Sequence, residues 1–146
     1  MEKKLLTEDI IADLERNYRG KGDDVALDEA IASLKKCQSK YHATGTVLFA
    51  LFYNRVTVDY ENKKFNKKFT GNGGGVGSVG GGALVGDIYT DDLDKVFEKT
   101  ERYQVTSTTG YAYVLFLDKN SKVLGSFQTA SISLGGGVFG GTGDWS

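Results

Sequence analysis

At 146 residues with a net charge of -1, the chain is one domain in size and too weakly basic for nucleic acid to be the default partner. Its single cysteine, Cys37, excludes an intrachain disulfide and a cysteine-based metal centre. Acids interrupt LLTEDIIADLE just after the MEKK start, and no segment reaches the roughly 18 apolar residues of a membrane span, so neither a Sec-type signal nor a spanning helix is expected.

Residues 5–18 place Leu6, Ile10, Ile11, Leu14 and Tyr18 at helical spacing, with Thr7 as N-cap. RGKGDD breaks that helix. A second follows, marked by Ala26, Leu27, Ala30, Ile31, Leu34 and Tyr41, with Asp28 and Glu29 in its first turn and Lys35, Lys36 and Lys40 towards its end, matching the helix dipole. Residues 1–40 therefore read as a helical segment ahead of a second unit, 41–146.

From Thr44 onward β-branched and aromatic residues dominate. TVLFALFYNRVTVDY reads as one strand, covered at one end and solvated at the other, with a turn at Asp59 to Asn62. KKFNKKFT alternates as a second strand, and ALVGDIY is a third, beyond a glycine tract. TDDLDKVFEKT has the acids of a helix start, Thr90 or Asp91 as cap, and Leu93, Val96 and Phe97 as its apolar stripe. ERYQVTST, YAYVLFLD and KVLGSFQTASISL are further strands, separated by Thr109-Gly110 and by Asp118 to Ser121. This spacing fits an antiparallel sheet that curls or closes, not repeated strand-helix-strand units.

Twenty glycines against no proline is the compositional oddity. Gly75, Gly77 and Gly80 spell GxGxxG, a dinucleotide fingerprint that works only when a helix springs from it. Here ALVGDIY follows, the next helix waits until about Asp91, and no GK[ST] supplies a phosphate loop. The same spacing recurs at Gly135, Gly137 and Gly140, too close to the last residue for a helix. No nucleotide and no other cofactor is expected. The glycines instead serve positive φ, bulges and close backbone approach in curved strands.

No catalytic set emerges. His42 is the sole histidine and Cys37 the sole thiol, and nothing signals the lowered thiol pKa that a Cys-His pair would need. Asp91, Asp92 and Asp94 lack the EF-hand spacing and sit where a helix start favours acids anyway, so no metal site is expected. The feature with a binding reading is KKFNKKF: Lys63, Lys64, Phe65, Lys67, Lys68 and Phe69 interleave aromatics with lysines, which suits an anionic lipid surface at about 1 kcal/mol per nearby basic residue. Its bland counterpart is an edge or solvent-facing strand whose lysines block unwanted pairing. Trp145, with Tyr103, Tyr111 and Tyr113, offers a stacking surface or, more simply, the closure of one end of a core.

The order GGALVGDIYTDDLDKVFEKT, YAYVLFLDKNSKVLGSF and GGGVFGGTGDW resembles the virulence-associated protein (Vap) family, whose members are secreted by intracellular pathogenic actinobacteria. The match is best from Gly81 to Trp145 and looser back to Tyr41, which leaves residues 1–40 outside it. It rests on the Gly-Xaa-Leu-Xaa-Gly strand, on Thr90, Asp92 and Leu93 at a helix start, on Leu124-Gly125, and on Gly-Gly-Thr-Gly-Xaa-Trp at 140–145. The resemblance implies a closed, eight-stranded antiparallel β-barrel with one short helix inserted between strands. It implies a packed interior and no known enzymatic activity.

It also implies a non-enzymatic effector, secreted or host-targeted, that acts on endolysosomal membranes to favour intracellular survival. The absent Sec signal leaves export by another route, with residues 1–40 as an address or partner-docking segment, against a cytoplasmic relative. The competing function is a small-ligand barrel, which requires an apolar pocket of roughly 300 Å3 or more.

Overall fold

The computed structural model describes residues 40–62, 66–74, 79–107, 111–130 and 137–146, together with Glu8, Ile11, Ala12, Glu15, Arg16, Arg19, Gly20, Asp28, Ile31, Ala32 and Lys35. The strands are β1 (Lys40–Phe49), β2 (Tyr53–Glu61), β3 (Asn66–Gly74), β4 (Gly80–Tyr89), β5 (Arg102–Ser107), β6 (Tyr111–Leu117), β7 (Val123–Ala130) and β8 (Gly137–Trp145), with α1 (Leu93–Lys99) between β4 and β5. All pairings are antiparallel and the sheet closes on itself in the order β1-β2-β3-β8-β5-β6-β7-β4. Closure leaves no edge strand, so β3 is paired on both sides and its lysines do not guard a free edge.

Alternation along each strand turns one set of side chains inward. Phe49, Val56, Phe69, Val114, Phe116 and Phe127 are wholly buried on the barrel axis. Trp145 closes one end, its ring packed on Phe69, Phe116 and Phe97 of α1 at centroid distances of 5.6, 5.3 and 4.9 Å. α1 seals the same end with the fully buried Val96. Its N-cap is Asp92, whose carboxylate accepts from the Lys95 N–H at 3.1 Å, not Thr90 or Asp91 as the sequence suggests. Thr90 is buried instead, and its hydroxyl donates to the Leu124 carbonyl at 2.8 Å, anchoring the helix start to β7.

Two further expectations change. TVLFALFYNRVTVDY is a hairpin, not one strand: Ala50 donates to the Tyr53 carbonyl at 2.8 Å, leaving Leu51 and Phe52 as the turn. The second glycine cluster, to which the residue pattern assigns no element, is β8, which joins β3 to β5 and completes the circle. No helix begins at Gly80, the first residue of β4, which disposes of the dinucleotide fingerprint.

The β3–β8 seam shows what the glycines are for. Gly71 and Gly73 follow Phe69 on the inner face of β3, and Gly141 and Gly143 precede Trp145 on the inner face of β8. A Cβ on Gly73 would lie 1.9 Å from the Gly140 carbonyl oxygen, one on Gly141 would lie 2.2 Å from that of Asn72, and one on Gly71 would lie 2.5 Å from the Tyr103 ring. Close backbone approach is the operative property here, since none of these four has a positive φ. Gly20 is the different case: φ of 78° puts it in the left-handed region, where it ends a helical stretch containing Glu15 and Arg16.

Ahead of the barrel, Glu8, Ile11, Ala12, Glu15 and Arg16 are helical, as are Asp28, Ile31, Ala32 and Lys35. Arg19 grips the Glu15 carboxylate through two bonds of 2.8 and 2.7 Å and reaches Asp28 at 2.8 Å, tying the two stretches together. Leu6, Ile10, Leu14, Tyr18, Leu34 and Cys37 lie outside the described residues, as do Lys63, Lys64 and Phe65.

Gly73→Ala should destabilise the barrel by about 2–3 kcal/mol, lowering Tm by roughly 5–10 °C, because the methyl group meets backbone that cannot step aside. Gly74→Ala, whose Cβ would meet nothing nearer than 3.7 Å, should change stability by less than about 0.5 kcal/mol. Thermal unfolding followed by Trp145 fluorescence compares the two.

Candidate functional site

Closure gives the barrel two ends with opposite chemistry. At the helix end lie α1 and its flanks, the β2–β3 and β6–β7 connections, and the start of β1 at Lys40. These carry the charges: Lys63 and Lys64 between β2 and β3, Asp91, Asp92, Asp94, Lys95, Glu98, Lys99 and Glu101 around α1, and Asp118, Lys119 and Lys122 between β6 and β7. At the other, turn end, the connections are 50–52, 75–79, 108–110 and 131–136, and none contains Asp, Glu, Lys, Arg or His.

The described residues of the turn end are strongly apolar and exposed. Phe52 is 73% exposed, Val79 67%, Leu51 61% and Leu48 52%. Register brings them together: β1 ends at Phe49 opposite Gly80, so Val79 stands beside the hairpin tip. Turn chemistry does not demand this composition. Two-residue hairpin turns favour Asn, Asp or Gly at positive φ, yet among described non-glycine residues Ser121 alone has a positive φ. Large apolar side chains at such a tip cost solubility and return nothing to the core.

Beneath this rim a buried polar cluster holds the strands in place. The Tyr103 phenol donates to the Asn54 carbonyl oxygen, and the Asn54 amide donates to the Gly74 and Gly140 carbonyls, each at 3.4 Å. Asn54 is fully buried, so this cluster ties β2, β3, β5 and β8 together just below the turn end. Burial pushes the Tyr103 phenol well above the ordinary tyrosine range, with the neighbouring Tyr53 phenol adding to the shift, which keeps the proton on the phenol as the donor to the Asn54 oxygen.

The lysine-phenylalanine stretch comes out differently from its sequence reading. Phe69 is fully buried and packs edge-on against Tyr103 and Phe116, so it is no surface anchor. It shares the inner side of β3 with Lys67, whose ammonium turns back over the Phe97 ring at 5.9 Å from its centroid. Lys68 is exposed. Lysines and exposed apolar residues thus sit at opposite ends, not on one strand face.

The other candidates separate as well. Tyr103 lies inside the barrel and Tyr113 is buried on its outer side, so with Trp145 they form no common stacking surface. His42 is exposed on β1, its Nδ1 3.9 Å from the Asp87 carboxylate. Among the described residues no group of three His, Cys, Asp or Glu side chains is arranged to hold a metal ion.

The family described as Rhodococcus equi virulence-associated protein matches residues 2–146. The chain belongs to that family. The match takes in the N-terminal segment, which corrects the expectation that residues 1–40 lie outside it. Two solved Vap structures share the fold. The virulence-associated protein VapB from the intracellular pathogen Rhodococcus equi superposes with a TM-score of 0.66 at 30% identity, covering 74% of this chain and 96% of VapB. VapD from the same organism gives 0.67 at 30% identity, covering 74% of this chain and 97% of VapD. No curated protein sequence matches the chain. The closed eight-stranded barrel with one inserted helix is therefore the Vap fold.

Tyr103→Phe should cost about 1–2 kcal/mol, because it leaves the Asn54 oxygen buried without a donor. The raised phenol pKa sets the pH behaviour. The stability it contributes is complete below the unfolded tyrosine pKa of about 10 and is lost as pH climbs from there through the folded value. Urea unfolding at pH 7 and pH 11 should accordingly show a smaller difference between wild type and Tyr103→Phe at the higher pH.

Proposed function

We propose that this Vap-family protein is a non-enzymatic virulence effector, delivered outside its producing cell, that meets a host endolysosomal membrane with the turn end of its barrel. The observation that supports this reading is the cluster of Leu48, Leu51, Phe52 and Val79, each more than half exposed, on an end whose connections carry no charge. A rim of this kind suits the bilayer interface: it offers Phe and Leu side chains to the acyl boundary, with Arg55, paired to Leu48, placed to reach the headgroups. Tyr53, 41% exposed, stands beside them, with its phenol held by Asn72 as a polar tip at headgroup depth.

Among the described residues no helix is long and apolar enough to cross a membrane, so the contact proposed is interfacial insertion of a hairpin tip. The aromatic and aliphatic side chains along the barrel axis favour this over the small-ligand reading. Lys67 and Lys68, with Lys63 and Lys64, supply the second route, an electrostatic contact through the helix end.

Co-sedimentation with vesicles separates the two. Through the turn end, the protein should bind phosphatidylcholine vesicles with or without phosphatidylserine, with little change from about 50 to about 150 mM salt, a range over which the Debye length shortens to about 8 Å and a contact between exposed charges would weaken. Leu51→Ser with Phe52→Ser should weaken binding at least about tenfold, since each fully buried side chain is worth about 1.5–3 kcal/mol. Lys67→Gln with Lys68→Gln should change it less than about twofold. Binding that needs the anionic lipid and falls with the lysine variant would assign the contact to the helix end, and no binding at all would end the membrane reading.

A further inference from the structure

Part of the barrel's outer wall is buried. Register fixes which residues face outward: Thr106, Tyr113, Gln128 and Asp87 form one row across β5, β6, β7 and β4, and Gln104, Leu115, Ser126 and Tyr89 form the next. Their neighbours Val105, Val114, Phe127 and Ile88 point inward and are core residues. Yet Tyr113 is 1% exposed, Ser126 0%, and Leu115 and Gln128 3% each. Outward side chains on a sheet have neighbours at their flanks and none above, so a tyrosine ring there is hidden only by a second layer. α1 is not that layer, because it plugs the helix end against Gly125, which shares the inner face with Phe127.

The covered zone has limits. On β1, Lys40, Thr44 and Thr46 are exposed on the same outer side, and on β4 Val85 is 61% exposed. The zone therefore runs across four strands, from Thr106 on β5 to Tyr89 on β4, and is centred on β6 and β7; at about 4.8 Å per strand it is close to the width of a pair of helices at about 10 Å each. Beneath it, the Thr106 hydroxyl and the Gln104 amide nitrogen are themselves buried.

We propose that this wall is an intramolecular docking surface whose occupant is the chain's own N-terminal segment, residues 1–39, seated through Ile31. The chain outside the barrel supplies the right material. Glu8 to Arg16 and Asp28 to Lys35 contain its described helical residues, Arg19 links Glu15 to Asp28, and Ile31 is buried at 8% exposure although it belongs to no barrel strand. The segment joins β1 at Lys40, which pairs with Tyr89 at the border of the buried zone. The segment is thus a cover on the barrel, and an amphipathic one, as its apolar periodicity requires.

Cysteine accessibility in the full chain tests this. Ser126→Cys and Leu115→Cys, each in separate proteins, should react with a maleimide at least tenfold more slowly than Thr46→Cys on the exposed part of the same wall, with peptide mass spectrometry distinguishing label on Cys37. Adding Ile31→Asp should raise their rates at least tenfold while Trp145 fluorescence stays native. Fast labelling without Ile31→Asp, slow labelling that persists with it, or protection that grows with protein concentration and so comes from a second copy, would each overturn the assignment.

Discussion

A strand pair without side chains on its inner face is the constraint on which the rest depends. Where β3 meets β8, Gly71, Gly73, Gly141 and Gly143 let two backbones approach to distances that any Cβ would forbid, and the space released inside is taken by the Tyr103 ring. Eight strands close only if some corner is bent this sharply, and the side chains flanking the bend, Phe69 and Trp145, then meet at the centre. Closure makes the interior a single aromatic and aliphatic core. It also removes every sheet edge and leaves the molecule with two ends and an outer wall as its available surfaces.

Those surfaces divide cleanly by chemistry. The helix end is charged and sealed by α1 and Trp145. The turn end is uncharged in its connections and exposes Leu48, Leu51, Phe52 and Val79. One sector of the outer wall is hidden, and the remainder, from β1 round to β3, is ordinary polar sheet surface with the Thr46–Thr57 hydroxyl pair at 2.6 Å as its characteristic contact. A Vap-family barrel with this division has its exposed apolar cluster at one pole and the place where its N-terminal segment joins at the other.

Much of the fold was legible because periodicity is local. β4, β5, β6 and β7, the short helix at Leu93 and the Asp118 turn, where that carboxylate accepts from the Asn120 and Lys122 amides, lie where alternation and turn residues put them. Two strands were not legible from residues alone, for opposite reasons. The hairpin tip at Leu51 and Phe52 lacks every turn-forming residue, so an unbroken apolar run hides a reversal of direction. β8 is GVFGGTGDW, too rich in glycine for strand propensity, and is held by its partners β3 and β5. The inward place of Phe69 in the candidate site was hidden for the same reason. Alternation in KKFNKKF says which residues share a face, but only closure decides that the face of Phe69 is the inside. The exposed rim, conversely, was invisible because Leu51 and Phe52 read as core, and the signal that marks them is the absence of charge from every connection at that end.

Closure through the glycine seam can be observed directly. Lys68 and Ser146 exchange both backbone hydrogen bonds, at 3.0 and 2.9 Å, which makes Thr70 and Asp144 the next bonded pair and sets Gly71 against Gly143 at a position where opposed Hα atoms nearly touch. An NMR spectrum of the native protein should therefore show an Overhauser contact between the Gly71 and Gly143 Hα protons and slow hydrogen exchange at the Thr70 and Asp144 amides. If that contact is missing and both amides exchange as fast as that of the exposed Lys119, the sheet is open between β3 and β8, and the division into two chemically distinct ends goes with it.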